Sequence, residues 1–387
     1  MTKILVKSDV FNFYLKSYGI NMEYLSDKSG IALEKVEAWT KADTEIPVGQ
    51  LRTLADIYKK HWGIFLLDEP KNSFKKPKDF RARSSKHALT LISNLAFEEA
   101  NRIIEYSKEY GVGNIDNALS EISSNATPVG TLATKVRKLL GVTADLQASW
   151  RNDTDAWKYY YKKLEELGFL ISIQKLDEGV DGFIVVKDEA TVIVINKDVK
   201  SVYRRTFTLL HEVAHYVQRL SAACDTYELV HKSKDEIFAN EFASKVLVPE
   251  TMFMSQANVR MIASGEPATE VDYMAISKQF CISMSQAALR LYELKLITQD
   301  MLETQLATAK RIYQEKEVAK KKKNKDKGGF DPKGHERNAI NRVSIPLANS
   351  VLSSYSTEKI TPREFASVMG VKVNLVGRIV TMLNERS

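Results

Sequence analysis

Residues 211–215 read His211-Glu212-Val213-Ala214-His215. On a helix, that spacing puts two imidazoles one turn apart on one face, which suits a zinc ion. Glu212 then sits beside the metal, where a carboxylate can take a proton from metal-bound water. The flanking residues supply the helix. Phe207, Leu210, Ala214 and Val217 form one apolar stripe at helical spacing. His211 and His215 fall just beside the stripe, neither centrally buried nor fully in water. The blander reading is two surface histidines on an amphipathic helix.

A zinc peptidase site needs a third protein ligand and one open position. The segment Lys234 to Pro249 offers Glu236 and Glu241. On a helical wheel, Ala239, Phe242, Ala243, Val246 and Leu247 make its buried face. Glu236 and Asn240 share the edge of that face, and Glu241 points nearly opposite. The wheel therefore selects Glu236 as ligand and leaves Asn240, one turn on, as an acceptor that holds a ligand histidine. The competing reading of Glu236 is an ordinary exposed helix carboxylate.

Thr206-Phe-Thr-Leu-Leu-His-Glu-Val-Ala-His215, followed by Glu236-x-x-Ala-Asn-x-Phe-Ala-x-x-x-Leu-Val-Pro249, resembles the ImmA/IrrE family of zinc metallopeptidases. The likeness spans roughly residues 125–300, from the helix around Trp157 through Gly182-Phe-Ile-Val-Val186 and Val192-Ile-Val-Ile-Asn196 to about Leu296. One departure is mild: the family's last motif often ends Leu-Met-Pro, and here it ends Leu247-Val248-Pro249. The resemblance implies one Zn2+ per chain on His211, His215 and Glu236, with Glu212 as general base. It also implies a small intracellular peptidase, of the kind that cleaves a helix-turn-helix repressor.

The expected chemistry follows. Zinc on two neutral imidazoles and one carboxylate keeps a positive charge and lowers the pKa of bound water towards about 7. Glu212 accepts the proton and later returns it to the leaving amine. An electrophilic partner for the oxyanion is usually needed. Tyr216, Tyr227, His231 and Arg290 are the candidates, and the sequence does not choose among them. A loop role for His231 and a salt-bridge role for Arg290 are the plainer readings.

Composition sets the surroundings. The chain has 387 residues, enough for two or three domains. It lacks a long uninterrupted apolar run and begins without a signal-peptide core, so a cytoplasmic protein with no membrane partner is expected. Two cysteines, Cys224 and Cys281, exclude a disulfide framework and a multi-cysteine zinc site. The net charge of +7 is unevenly spread. Residues 311–387 hold 16 Lys/Arg against 8 Asp/Glu, and the rest of the chain holds 40 against 41. The basic excess therefore lies at the C-terminal end, where it can neutralise phosphates or simply solvate a linker.

The organisation expected is mainly α (α+β): a zincin-like metallopeptidase domain with a small three-stranded sheet, flanked by helical, helix-turn-helix-like domains. Residues 1–70 form the first such domain, with Gly30-Ile31 as a turn before Leu33 to Trp39, and Pro47 opening a helix that carries Leu51, Leu54, Ala55 and Tyr58. This segment resembles repressor-type (XRE-like) helix-turn-helix domains. Residues 71–125 are a basic linker and connecting helices. Residues 126–310 are the peptidase domain, with amphipathic helices at 131–140 and 153–167. Residues 311–335 are a Lys-rich linker. Residues 336–387 are a small basic helical domain in which Thr361 and Glu364 have capping-box spacing.

Three apolar runs, Phe169 to Ile173, Gly182 to Val186 and Val192 to Ile195, are read as an antiparallel sheet. Val192 to Asn196 is the candidate edge strand for a substrate backbone, against an ordinary structural strand. The unit at 269–297 repeats the short-helix pattern around Cys281-Ile-Ser283.

The N-terminal domain has two open readings. Residues 1–70 hold 9 basic and 10 acidic residues, whereas a dedicated DNA reader is usually basic. DNA binding would use Lys28, Lys35 and Lys41 with Arg81 and Arg83; the alternative is docking to another helix-turn-helix protein. Lys372 and Arg378 are the nucleic-acid candidates at the C-terminal end.

Two functions compete. One is a site-specific zinc endopeptidase acting on a regulator, with a repressor as its protein substrate. The other is a DNA-binding regulator or antitoxin whose peptidase domain is idle or holds a toxin. A closed structural zinc site is weaker, because three protein ligands are evident rather than four. The oligomeric state is not legible.

Overall fold

A computed structural model describes residues 2–70, 90–115, 119, 122, 127–187, 190–221, 233–326 and 333–385. The chain is mainly helical with two small sheets. The described residues pack as two units, the first holding those up to Arg102 together with Lys175–Val180, and the second holding the remaining described residues.

In the first unit, strands β1 (Lys3–Val6) and β2 (Thr44–Pro47) pair antiparallel, with Ile4 opposite Ile46. Helices Ser8–Tyr18, Met22–Ser29, Leu33–Lys41 and Val48–Ile57 surround a core of Phe11, Leu25, Val36, Leu51, Tyr58 and Phe65. Gly30 ends the second helix at a left-handed φ of 68°, a conformation that glycine adopts without steric cost. The β1–β2 pair has no counterpart in the helical domain expected over residues 1–70. Helix Leu91–Glu109 follows. Its start is held by the Lys175–Val180 loop: the Thr90 N–H donates to Asp177 Oδ2 at 2.9 Å, and the Asp177 N–H donates to Ser93 Oγ at 3.0 Å.

The second unit is built around a three-stranded sheet of β3 (Leu170–Gln174), β4 (Gly182–Val186) and β5 (Thr191–Asn196), in the order β3-β5-β4. The antiparallel expectation is corrected here. β4 and β5 are antiparallel, but β3 and β5 are parallel, with Ile171 opposite Ile193. The edge-strand expectation for Val192 to Asn196 is corrected as well. β5 is the central strand, with both backbone edges paired and all six residues buried. A run of apolar side chains without polar alternation is what a central strand requires.

The helix Val202–Ser221, which carries the His-Glu-x-x-His string, lies against this sheet. At Gly182 a Cβ would fall 2.7 Å from the Val194 carbonyl and 2.8 Å from Thr208 Cγ2, so glycine is what allows β4 to approach both. Helix Ser233–Leu247 packs along the motif helix, and helix Val129–Leu139 packs in turn against helix Ser233–Leu247. One core joins Leu209, Val213 and Val217 of the motif helix to Ile193 of β5 and to Phe242 and Val246.

Helix Gln299–Asp326 continues through most of the Lys-rich stretch. Beyond it, helices Gly334–Val343 and Ile345–Ser356 cover β3. The Ile171 N–H donates to Ser344 Oγ at 3.3 Å, and the Ser172 hydroxyl donates to the Arg342 carbonyl. Among the described residues no single helix is long and apolar enough to cross a membrane.

Candidate metal centre

The motif helix is more enclosed than its sequence implies. His211, Glu212 and His215 are 2, 6 and 5 % exposed, not half-exposed beside an apolar stripe. The sheet and helix Ser233–Leu247 both pack against this helix, so residues outside the central stripe are covered too.

Glu236 lies in the first turn of helix Ser233–Leu247 and faces both histidines. Its Oε2 is 3.4 Å from His211 Nε2, and its Oε1 is 3.5 Å from His215 Nε2. The two Nε2 atoms are 3.1 Å apart. Glu241, five residues on, pairs instead with Lys245 at 2.8 Å.

Asn240 Oδ1 lies 3.1 Å from His211 Nδ1. An amide oxygen can only accept, so Nδ1 carries the proton and the Nε2 lone pair is turned toward Glu236 and His215. Gln218, on the motif helix, donates to Asp235 at 3.1 Å and ties the two helices beside the centre.

These donors fit a zinc ion. Ligand arms of about 2.0–2.2 Å in a tetrahedron place neighbouring donor atoms about 3.3–3.6 Å apart. The triangle of 3.1, 3.4 and 3.5 Å is close to that edge. Two imidazoles and a carboxylate, with one of the rings already fixed in tautomer, are a zinc-type donor set. His211, His215 and Glu236 are therefore the residues that would hold the ion.

The electrostatics agree. The hydrogen bonds from His211 and His215 hold the Glu236 carboxyl well below the usual carboxylate range. Burial opposes protonation of His215, but its bond to Glu236 and the charges of Glu212, Glu236 and Asp235 outweigh that and raise its pKa. The pocket attracts positive charge.

A buried clamp fixes the far end of the ligand helix. Arg137 Nη1 donates to the Val246 carbonyl at 2.8 Å, and its Nη2 donates to Gln147 Oε1 at 2.7 Å. Gln147 Nε2 in turn donates to the Leu247 carbonyl at 2.9 Å and the Phe280 carbonyl at 3.1 Å. These are orphan carbonyls of a helix C-terminus, satisfied here by side chains. Arg137 and Gln147 escaped the sequence reading. Their one signal is a cationic residue on the otherwise apolar face of helix Val129–Leu139.

The other sequence candidates are placed as follows. Tyr216 is buried with its ring edge-to-face on Phe169 at 5.2 Å. Arg290 is 3 % exposed and bound to Glu293 at 2.9 Å. Tyr227 and His231 lie outside the described residues, as do Cys224, Arg81 and Arg83. Cys281 is buried, and burial pushes its thiol up to about 11, which leaves it protonated near neutrality. Lys28 pairs with Asp27 at 3.3 Å, Lys41 with Glu37 at 3.6 Å, and Arg378 with Glu336 at 2.5 Å. Lys35 and Lys372 are exposed.

No curated protein matches the chain. A family model does: residues 164–292 match Peptidase_M78, described as the IrrE N-terminal-like domain. The matched stretch contains the sheet, the motif helix and all three donors, and its similarity to that domain supports a function of the metallopeptidase type for this region of the chain.

Proposed function

We propose that the protein is a zinc-dependent, site-specific endopeptidase that cleaves a regulatory protein, with a helix-turn-helix repressor as substrate class. The observation that carries the reading is the convergence of His211, His215 and Glu236 donors at 3.1–3.5 Å, with Glu212 on the same helix between the histidines. When bound, zinc supplies Lewis acidity that polarises a peptide carbonyl and acidifies water.

The chain's residues do the rest. Asn240 holds His211 in the tautomer that offers Nε2. Glu236 neutralises part of the charge gathered at the centre. The Glu212 carboxylate, 6 % exposed, takes a proton from the attacking water and delivers it to the leaving amine nitrogen. Bulk water competes little for a carboxylate in that setting. The sheet, the clamp at Arg137 and the Gln218–Asp235 bond keep the two helices in register, and that register sets the donor distances.

The repressor substrate is supported by the N-terminal unit, in which short helices joined at Gly30 resemble repressor modules, while its third helix carries Glu34 and Glu37. With Lys35 and Lys41 balancing these two acids, the helix lacks the basic excess usual in a dedicated DNA reader, which leaves docking to another helix-turn-helix protein open to it. The test is Glu212→Gln. It should keep metal and hold a candidate repressor uncut, while wild type cleaves it at one bond. Turnover retained in that variant removes Glu212 from the mechanism.

A further inference from the structure

The metal centre leaves the C-terminal helices without a role, and their geometry supplies one. Helix Pro362–Met369 ends at Gly370, whose φ of 56° is left-handed. The chain then enters the helical run Val373–Asn384, bent by 92° from the first helix. Two short helices at about 90–120°, joined by a tight glycine turn, are the geometry of helix-turn-helix units that place their second helix in a DNA groove. Buried Phe365, Met369, Ile379 and Leu383 hold the angle. At Gly370 a Cβ would collide with the Arg342 guanidinium, which donates to the Met369 carbonyl at 2.5 Å.

The outward face of the second helix points to a ligand. Asn374, Gly377, Arg378 and Thr381 follow i, i+3, i+4 and i+7 spacing, and all four are exposed. The stripe contains no carboxylate. Lys372 and Val373, both exposed, extend it at the turn, and Val373 is half in solvent although apolar. Arg378 is anchored by the buried Glu336 carboxylate. Lys372 and Arg363 make no ion pair among the described residues. The third helix of the N-terminal unit differs: it exposes Glu34 beside Lys35 and pairs Lys41 with Glu37.

Gly377 sharpens the argument. Glycine is among the poorest helix formers, and a Cβ at this position would meet nothing within 4 Å. The fold does not require glycine there. A helix that must lie close against another molecule does.

We propose that this stripe reads duplex DNA, with the helix 373–384 seated in the major groove. Asn374 offers the amide that pairs with an adenine edge, Arg378 a guanidinium for guanine or phosphate, and Val373 an apolar contact for a thymine methyl. Lys372 and Arg363 supply phosphate contacts that set register. The surface is remote in sequence from the metal ligands, and the proposal stands whether or not the peptidase reading does.

The test uses full-length protein and a labelled random-sequence duplex pool about two helical turns long. Anisotropy is read at two salt concentrations, and the best-bound sequences are selected. Binding should weaken with salt, and Lys372→Ala should lower the salt slope by about one contact. Asn374→Ala should lose about tenfold on the selected sequence and little on the random pool. Gly377→Ala should melt no lower than wild type yet lose about tenfold. Changing Lys320, Lys321, Lys322 and Lys323 to Gln should leave the sequence preference intact. The proposal is overturned if no sequence is enriched, if Asn374→Ala and Gly377→Ala bind like wild type, if the four-lysine variant abolishes the preference, or if single-stranded RNA binds equally well.

Discussion

Replacing Asn240 with alanine removes one hydrogen bond, and the geometry sets what its loss does to zinc affinity. The His211 Nδ1–H donates to Asn240 Oδ1 at 3.1 Å, from a ring that is 2 % exposed. Left without an acceptor, a buried N–H is destabilised by about 1–3 kcal/mol. Where that penalty falls equally on metal-free and metal-bound protein, it cancels in the affinity. The tautomer preference does not cancel. Without Asn240 the proton is free to move to Nε2, where it blocks the lone pair that faces Glu236. Zinc binding should therefore weaken by about tenfold, at the low end of the roughly 10–100-fold seen when a ligand's orienting partner is removed. A competitive titration against a chromophoric chelator near neutral pH measures it, with circular dichroism to confirm the fold. A folded Asn240→Ala that binds zinc within about twofold of wild type would refute the orienting role.

Further predictions concern the scaffold. Burial pushes the Glu165 carboxyl up from 4.5 to about 7, against bonds from the Ser344 hydroxyl and the Ile345 N–H. The folded state thus holds this proton more tightly than the unfolded chain. The stabilisation is complete below the lower value and is lost as pH rises through about 7, a fall of about 3 kcal/mol. Denaturant midpoints across that window should show the fall in wild type and not in Glu165→Gln; equal slopes in both proteins would remove Glu165 as the cause. Arg137→Met strips two bonds from the end of the ligand helix and leaves the Val246 carbonyl and Gln147 Oε1 short of a donor. It should destabilise by about 2–4 kcal/mol in urea unfolding, and a loss under about 1 kcal/mol would count against the clamp.

What could be read from the residues divides by range. The motif helix and the convergence of His211, His215 and Glu236 depend on short-range helical period, which a wheel captures: it puts Glu236 with Asn240 and turns Glu241 to the opposite side, where the structure pairs it with Lys245. The sheet order does not follow from period alone. β5 pairs parallel with β3 across the β4 hairpin, a long-range choice. Its one local sign is the unbroken apolar run from Val192 to Ile195, which marks burial on both faces but not the partner on either edge. Arg137 and Gln147 were invisible for a related reason. A buried cation and a buried amide satisfying carbonyls about a hundred residues away have no local pattern beyond the cation's being out of place on an apolar face. The 92° turn at Gly370 lay between. Its glycine and its capping box at Thr361 and Glu364 are local signals, whereas the open space beside Gly377 needed the packed unit.

The proposed peptidase activity rests on a metal held by His211, His215 and Glu236 and not by Glu241. Metal content by mass spectrometry on wild type, Glu236→Ala and Glu241→Ala tests it most directly. About one zinc per chain is expected in wild type and in Glu241→Ala, and its loss in Glu236→Ala. Zinc retained in Glu236→Ala, or none in wild type after zinc is supplied, would contradict it.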